Sequence, residues 1–345
     1  MANSNGKNLI FLISQPRSGS TMLQLMLAGH PDIATTSEPW IALHPLFALK
    51  QGIDAKYDTG IARLALKEFL QQSGVNEVFY KKKVNDFLSS FYSQAIKHQQ
   101  KKYFLDKTPR YYLIIDDLIE IFPKAKFIIL HRHPLAVLNS IIKTWVKDDL
   151  KRLGLFKDDL LLAPKYLTGA SKKYSDRIYS IKYEDFVESP EMTLDKVCNY
   201  LGIKYHENMS EYSKRIPNWK LGDPTGIHKS SRPFNDSLQS WKKGFESPNL
   251  KLMAHSYVKE LGQGVVEEMG YDFDEITSQI SSLDNCNIIN MITWSDVMQY
   301  NQFEAEKDLF EAKLKTIRNS WSWKITAPIR ATSTLLLKLK QLSIK

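Results

Sequence analysis

Short apolar runs bounded by turn residues alternate along the chain with stretches of helical spacing. Residues 8–14 (NLIFLIS) form a continuous apolar run closed by Pro, Gly and Ser. Such a run predicts a strand buried on both faces. Residues 21–28 then have the apolar spacing of a helix. Strand, tight loop and helix therefore make up the first predicted unit.

The same alternation continues beyond this unit. Three further apolar runs predict buried strands, at residues 103–106, 126–130 and 177–182. Three further stretches predict helices, at residues 112–122, 135–145 and 190–201, the last with Gly202 as its C-cap. Because strands and helices alternate, we expect an α/β fold with a central parallel sheet flanked by helices.

The character of the sequence changes after about residue 278. Residues 303–317 predict a charged helix, and residues 319–345 combine apolar residues and two tryptophans with regularly spaced Lys and Arg. We therefore expect a catalytic domain over residues 1–278 and a helical C-terminal extension over residues 279–345. The composition of the extension suits peripheral contact with a membrane, docking on a partner, or packing on the body of the protein.

Charge and cysteine content narrow the class of protein. A net charge of +9 at pH 7 attracts polyanions. The sequence has no zinc-finger spacing or RNA-binding aromatic signature, which argues against nucleic acid as the partner.

The cysteines and the N-terminal residues bear on the location of the protein. Cys198 and Cys286 have no disulfide-framework or zinc-site spacing, which favours the cytoplasm. The apolar run at residues 9–13 is too short for a signal-peptide core or a membrane span, so we expect neither secretion by that route nor membrane insertion.

The segment SQPRSGSTML (residues 14–23) joins the first strand to the first helix. A helix N-terminus offers unpaired N–H groups, Gly19 allows close backbone approach, and Arg17 adds a full charge. Hydroxyl donors come from Ser18, Ser20 and Thr21. Together these groups predict an anion cradle, although a plain capped helix is the alternative. The segment lacks GxxxxGK[ST], which argues against a Walker ATPase.

A second candidate anion site follows the strand at residues 126–130. Arg132 lies in the turn after this strand and Ser140 on the next helix. Ligands of open α/β sheets bind at this edge, where an Arg fork and a hydroxyl can converge on a phosphate. Two such sites on neighbouring strand ends indicate one ligand with two separated phosphates. The alternative is a surface Arg and a mid-helix Ser without a shared role.

Five segments, in order, resemble those of sulfotransferases that use 3'-phosphoadenosine 5'-phosphosulfate (PAPS). PRSGST resembles the family's 5'-phosphosulfate loop, and RHPLAVLNS, from Arg132 to Ser140, its 3'-phosphate motif. LDKTP and FPKAKFIIL also resemble family segments, and IKYEDF resembles the strand end whose tyrosine, here Tyr183, contacts the adenine side. The resemblance implies a P-loop-like sulfotransferase fold, PAPS as donor, adenosine 3',5'-bisphosphate (PAP) as product, and no metal.

The resemblance also implies a catalytic base. Pro109 stands where the small-molecule branch of the family has its histidine, so the sequence looks closer to the tyrosylprotein, glycan and bacterial branches. Glu38, in HPDIATTSEPW, occupies the place of their acidic base, with Arg17 and Lys107 stabilising charge on the leaving nucleotide. A capping or loop role for Glu38 is the alternative, with His30 and His44 as other candidate bases.

The remaining predictions concern the nucleotide cover and the acceptor. The basic loop with Lys229 and Ser230 resembles the segment that closes over the nucleotide, and we select Ser231 and Arg232 as its phosphate ligands. We expect a hydroxyl acceptor, with a glycan or natural product favoured and protein tyrosine as the alternative. Two other functions compete with this one: that of a nucleotide kinase or phosphotransferase, and that of a non-catalytic nucleotide-binding adaptor. The sequence does not indicate the number of subunits.

Overall fold

The computed structural model describes residues 5–50, 58–147, 149–211, 219, 236–280, 293–299 and 302–326. The strands of this part of the chain are β1 Leu9–Ser14, β2 Ile33–Thr35, β3 Tyr103–Lys107, β4 Lys126–His131 and β5 Ile178–Lys182. They form one sheet in the order β2-β3-β1-β4-β5, and every pairing is parallel. The predicted parallel sheet is confirmed, and β1 lies at its centre.

Helices cover both faces of the sheet. The α-helices of the described residues are α1 Ser20–Leu27, α2 Leu43–Phe47, α3 Thr59–Gln72, α4 Glu77–His98, α5 Ile115–Ile121, α6 Pro134–Ile141, α7 Ala163–Lys173, α8 Tyr183–Glu188, α9 Pro190–Leu201, α10 Asp236–Gln239, α11 Pro248–Leu261, α12 Gln263–Glu268, α13 Phe273–Ile280, α14 Trp294–Gln299, α15 Gln302–Asn319 and α16 Trp321–Ile325. Phe11 and Ile13 of β1 pack in one core, while Ile10 and Leu12 pack in another. Both faces of β1 are therefore buried, which explains its continuous apolar sequence.

Two predicted helices have irregular turns in the structure. The stretch predicted at residues 112–122 consists of a 3-10 helix, Pro109–Ile114, followed by α5. The stretch predicted at residues 135–145 is α6 followed by a π-helical turn, Ile142–Val146. The tighter 3-10 turn directs Tyr111 towards Asp106 and Tyr112 towards Asp159, so these two side chains anchor the segment on different neighbours.

A third core lies beside the sheet and includes residues beyond position 278. Trp294 and Val297 of α14 are buried in the same cluster as Leu150 and Tyr257. The division of the chain at residue 278 stays a prediction, with α14 packed directly on α11. No helix in the described ranges is both long enough and apolar enough to cross a membrane.

Candidate active site

The loop between β1 and α1 is shaped by two residues in the left-handed region of backbone space. Arg17 has a φ of 70° and Gly19 a φ of 88°. Helix α1 begins directly afterwards, at Ser20. Successive amides in such a turn point into one concavity, which binds anions, and the unpaired amides of a helix N-terminus add to it. The loop therefore has the backbone form of an anion-binding nest at the end of the central strand.

Gly19 also lies in close contact with Tyr183, the first residue of α8. A Cβ atom added at Gly19 would be 2.4 Å from Cε2 and 2.7 Å from Cδ2 of the Tyr183 ring. The guanidinium of Arg132 also packs on this ring. Its Cζ lies 4.1 Å from the ring centroid of Tyr183. Only a glycine leaves room for this stack, so the loop, Tyr183 and Arg132 form one packed unit.

Hydrogen bonds join the two predicted anion sites. Arg132 Nη1 donates to the backbone oxygen of Arg17 at 3.1 Å. Arg17 Nε in turn donates to Ser140 Oγ on α6, also at 3.1 Å. The carboxyl ends of β1 and β4 are adjacent in the sheet, which is why residues far apart in sequence meet here. The loop and the Arg132 and Ser140 pair are thus neighbours, as the sequence predicted.

A buried ion pair lies next to the loop. Lys107 Nζ at the end of β3 is 2.6 Å from Glu38 Oε1, and its side chain is only 1% exposed. Lys107 also donates to Thr21 Oγ1 at 3.3 Å. Glu38 Oε2 accepts from Trp40 Nε1 at 3.2 Å. The ion pair and the indole fix the carboxylate of Glu38 beside the start of α1.

A cavity of about 640 Å³ opens in front of Glu38. Its lining combines the loop with aromatic and cationic side chains: Pro16, Arg17, Gly19, Ser20, Thr21, Glu38, Trp40, Pro109, Arg110, Thr144, Trp145, Lys147, Arg152 and Phe156. Four non-glycine residues in the described ranges have positive φ, and Arg17, Trp40 and Lys147 of these line the cavity. Strained backbone of this kind concentrates at functional sites, where the surrounding structure maintains it.

Arg110 is fixed at the edge of the cavity by a buried carboxylate. Its Nε and Nη2 donate to the two oxygens of Asp159, with Nη2 to Oδ2 at 2.6 Å. Tyr112 donates to the same carboxylate at 2.8 Å. The guanidinium lies 5.6 Å from the ring centroid of Trp40. This bidentate geometry presents Arg110 and Trp40 together as one rigid wall of the cavity.

Behind Lys107, Asp106 holds a hydrogen-bonded network in the protein interior. Its carboxylate accepts from Tyr92 at 2.7 Å, from Thr108 at 2.8 Å and from Tyr111 at 3.2 Å. Burial raises the pKa of Asp106 to about 6, although the hydrogen bonds oppose this rise. Tyr111 also accepts from the amide of Ala42. The network therefore links β3 to the segment that carries Glu38.

Comparison with known proteins identifies the family. The sequence model of the sulfotransferase family matches residues 9–207, which is more than half of the chain. The chain belongs to the sulfotransferase family. This match confirms the family predicted from the five segments and includes the loop, Glu38, Lys107 and Arg132.

Individual relatives support this assignment. The nodulation protein NoeE of Sinorhizobium fredii (strain NBRC 101917 / NGR234) is 34% identical over 296 residues, covering 76% of this chain and 66% of that protein. Protein-tyrosine sulfotransferase 2 of Gallus gallus is 25% identical over 266 residues, covering 72% of this chain and 66% of that protein. The chain spans about two thirds of the length of these curated relatives. Among solved structures, the sulfotransferase domain of the Synechococcus PCC 7002 olefin synthase has 22% identity and a TM-score of 0.48, covering 69% of this chain and 88% of that one.

The histidines among the described residues of this sulfotransferase lie outside the cavity lining. His30 is held by Lys204 O at 3.1 Å and by the amide of Asp32, which indicates a structural role. His133 stacks on Trp241 with ring centroids 4.5 Å apart. Burial lowers the pKa of His131 and of His133 to about 4. The described residues contain no group of His, Cys, Asp and Glu that could hold a metal ion.

The structure brings most of the predicted site residues together. Those that line the cavity are Arg17, Gly19, Ser20, Thr21 and Glu38. Arg132, Ser140, Tyr183 and Lys107 contact these residues. Ser18 is fully buried and is not among the residues that line the cavity. The predicted phosphate ligands Ser231 and Arg232, with Lys229 and Ser230, lie outside the described residues.

Sequence reasoning did not single out the individual side chains that form the outer walls of the cavity. These walls consist of Trp40, Arg110, Trp145, Arg152 and Phe156. Trp40 is the last residue of the segment that contains Glu38, and Arg110 directly follows LDKTP. Their position beside those segments was therefore a usable signal for these two residues. Trp145 lies near the end of the stretch predicted as a helix, and Arg152 and Phe156 lie in a 3-10 helix that the sequence did not predict.

Proposed function

We propose that this sulfotransferase transfers a sulfuryl group from PAPS to an acceptor hydroxyl, with Glu38 as the general base. One observation carries the proposal. The Glu38 carboxylate and the Lys107 ammonium lie 2.6 Å apart between the anion-binding loop and the cavity. A base and a cation are thus held together at the junction where a donor group and an acceptor hydroxyl would meet.

The residues present fit a nucleotide with two separated anionic groups. The nest around Gly19 provides amides for one of them, and Arg132 and Ser140 provide a guanidinium and a hydroxyl for the other. Nε of Arg132 is buried and has no hydrogen-bond partner among the described residues, a donor for which an anion is the natural partner. When bound, PAPS would supply the sulfuryl group and a PAP leaving group.

Glu38, Lys107 and Arg17 have separate roles in the proposed reaction. Glu38 accepts the proton of the attacking hydroxyl, a contribution of about 10² to 10⁴ in rate for a positioned general base. Lys107 and Arg17 stabilise the negative charge that grows on the leaving group, because fixed cations act most strongly where charge develops. Lys107 Nζ donates both to Glu38 and to Thr21 Oγ1 of the loop, so its positive charge lies between the proposed base and the proposed anion site.

The cavity walls support an acceptor with a ring. The indoles of Trp40 and Trp145 line the space in front of Glu38, and such faces stack well on sugar or phenol rings. We therefore propose a glycan or natural product as acceptor. Protein tyrosine is the alternative, because several relatives are named protein-tyrosine sulfotransferases. Transfer from labelled PAPS to glycans, natural products and tyrosine peptides in one screen distinguishes these classes.

Calorimetry with PAP tests the donor site directly. We expect binding by the wild-type chain and a loss of about 1.5 to 3 kcal/mol for Arg132→Ala, the range for a hydrogen bond to a charged group. Arg318→Ala, at an exposed position on α15, is the matched control and should bind PAP like the wild type. Absence of PAP binding by the wild-type chain would refute PAPS as donor.

Glu38→Gln tests the base separately from nucleotide binding. The substitution keeps the shape of the side chain but removes its basicity, so turnover should fall by at least about tenfold while PAP affinity stays close to that of the wild type. Glu68→Gln, on the exposed side of α3, is the matched control and should leave turnover unchanged. An unchanged rate for Glu38→Gln would remove Glu38 as the base.

A further inference from the structure

The positive charge of this protein is concentrated at one end of the sequence. Residues 312–345, here called the cationic segment, contain eight Lys and Arg residues and no Asp or Glu. The rest of the chain has 39 Lys and Arg against 38 Asp and Glu, so it is nearly neutral. The cationic segment therefore accounts for almost all of the net charge of +9. A block of one sign at this density indicates an anionic partner.

Large apolar side chains are exposed in the same region. Phe310, Leu314 and Ile317 lie at helical spacing on one face of α15, and the first and last of these are 63% and 49% exposed. Leu314 between them is half-buried. Trp321, at the start of α16, is 81% exposed. Phe310, Leu314, Ile317 and Trp321, here called the apolar face, follow one another at intervals of three or four residues.

The cations flank the apolar face. Lys313, Lys315 and Arg318 are exposed on α15, and Lys324 is exposed on α16. Trp323 and Ile325 of α16 are 39% and 64% exposed. A helix that combines exposed indoles and aliphatic side chains with Lys and Arg has the composition of one that lies in the headgroup layer of a bilayer.

We propose that the C-terminal part of α15, from residue 312 onward, and α16 bind the surface of a membrane that contains anionic lipids. Two features select a lipid surface over a protein partner. Indoles gain from the boundary between headgroups and acyl chains, and a cationic segment without any carboxylate gains from every anionic headgroup near it. Each Lys or Arg near such a surface strengthens binding about fivefold.

The location of α15 connects this surface to the active site. Helix α15 contacts the 3-10 helix Leu150–Phe156. Arg152 and Phe156 of that 3-10 helix line the cavity in front of Glu38. A docked α15 therefore holds the outer edge of the cavity close to the lipid headgroups, where an acceptor attached to a lipid or carried at the membrane would enter.

Vesicle flotation with the full-length chain tests the proposal. The vesicles consist of phosphatidylcholine alone or of phosphatidylcholine mixed with phosphatidylglycerol, at low and at high salt. We expect binding to the anionic vesicles at low salt, weak binding to the neutral vesicles, and a loss of binding as salt rises. Because membrane binding is measured without donor or acceptor, its result is independent of the proposed transfer reaction.

Two sets of variants separate charge from apolar contact. Lys313→Gln, Lys315→Gln and Arg318→Gln together should weaken binding to anionic vesicles by about 10²-fold. Trp321→Ser with Trp323→Ser should weaken it by at least about tenfold, because two interfacial anchors are lost.

The matched control changes two exposed aromatic residues elsewhere. Phe69 and Phe91, on α3 and α4, are 65% and 51% exposed, and Phe69→Ser with Phe91→Ser should bind vesicles like the wild type. PAP binding by every variant shows that its donor site is folded.

Four results would overturn the proposal. The first is equal binding to neutral and anionic vesicles. The second is unchanged binding by either set of variants at the C-terminal helices. The third is an equal loss in the control at Phe69 and Phe91. The fourth is a dimer, seen by sedimentation without lipid, that Trp321→Ser with Trp323→Ser dissociates, since the apolar face would then bind a second copy of the chain.

Discussion

Substitution of Gly19 by Ala perturbs the packed unit at the centre of the proposed donor site. The new Cβ would lie 2.4 Å from Cε2 of Tyr183, well inside the 3.0 Å below which real Cβ atoms are essentially never found. The neighbouring atoms belong to a ring that packs on Arg132, so the ring has to move away from the loop. Gly19 also has a φ of 88°, which disfavours any residue with a Cβ.

Both effects can be given a magnitude. The left-handed backbone costs an alanine roughly 1 to 2 kcal/mol. Displacing Tyr183 weakens its cation–π contact with Arg132, which is worth about 0.5 to 2 kcal/mol. We expect the free energy of unfolding of Gly19→Ala to fall by about 1.5 to 4 kcal/mol in total. PAP affinity should fall at least about tenfold, because Arg132 and the loop amides lose their relative positions.

Gly74 supplies the matched control. It has a φ of 71°, and a Cβ added there meets no atom within 4 Å. Gly74→Ala therefore carries the backbone strain without the contact, and it should lower the free energy of unfolding by about 1 to 2 kcal/mol without changing PAP affinity.

Urea unfolding and calorimetry with PAP measure the two quantities for both variants. Equal losses of stability in Gly19→Ala and Gly74→Ala, with PAP affinity unchanged in both, would refute the reasoning. A second check is Gly19→Ala combined with Tyr183→Ala. Removal of the ring should make the double variant more stable than the sum of the two single changes predicts.

Three further predictions follow from the interior of the protein. The raised pKa of Asp106, about 6 in the fold against an ordinary value of 3.8, stabilises the folded state at low pH, and this contribution is lost as the pH rises through about 6. Urea titrations of the wild type and of Asp106→Asn measure this. The free energy of unfolding of the wild type, relative to that of the variant, should fall by about 1 kcal/mol between about pH 5 and 7. The same pH dependence of the unfolding free energy in both proteins would contradict this. Asp159→Asn should raise the KM for the acceptor without changing the Kd for PAP, because Arg110 loses its bidentate partner at the cavity edge. A change in the Kd for PAP instead would indicate that Arg110 contacts the donor nucleotide. Burial raises the pKa of Cys198 to about 11, so its alkylation at mild alkaline pH, followed by mass spectrometry of its peptide, should be much slower in native protein than in urea.

The residues of the proposed donor side could be located from the sequence because their signals are local. The run at Leu9–Ser14 is apolar at every position since both faces of β1 are buried, and the turn residues after it mark the loop. Lys107 and Arg132 each come at the end of such a run. Parallel strands that end at one edge bring these residues together without any further information.

The acceptor side could not be predicted in the same way. Arg110 and Asp159 are 49 positions apart. Asp159 lies in the π-helical turn Asp158–Leu162 directly before α7, and the two residues meet because α7 packs on Pro109–Ile114. Trp40 takes a left-handed φ of 56°, which no sequence pattern indicates for a tryptophan. Helices α3 and α4 were not predicted either. Apolar residues such as Phe69 and Phe91 lie on their exposed sides, so the sequence does not separate a polar face from an apolar one.

The two halves of the site are built from different kinds of structure. The donor half consists of strand ends and a nest packed on Tyr183, where a substitution disturbs the sheet core. The proposed acceptor half consists of irregular segments around Trp40 and Leu150–Phe156, which lie outside the strands of the sheet. Such walls can diverge among descendants of one gene while the donor half is inherited unchanged. Directed evolution towards a new acceptor should therefore accumulate its substitutions in these walls.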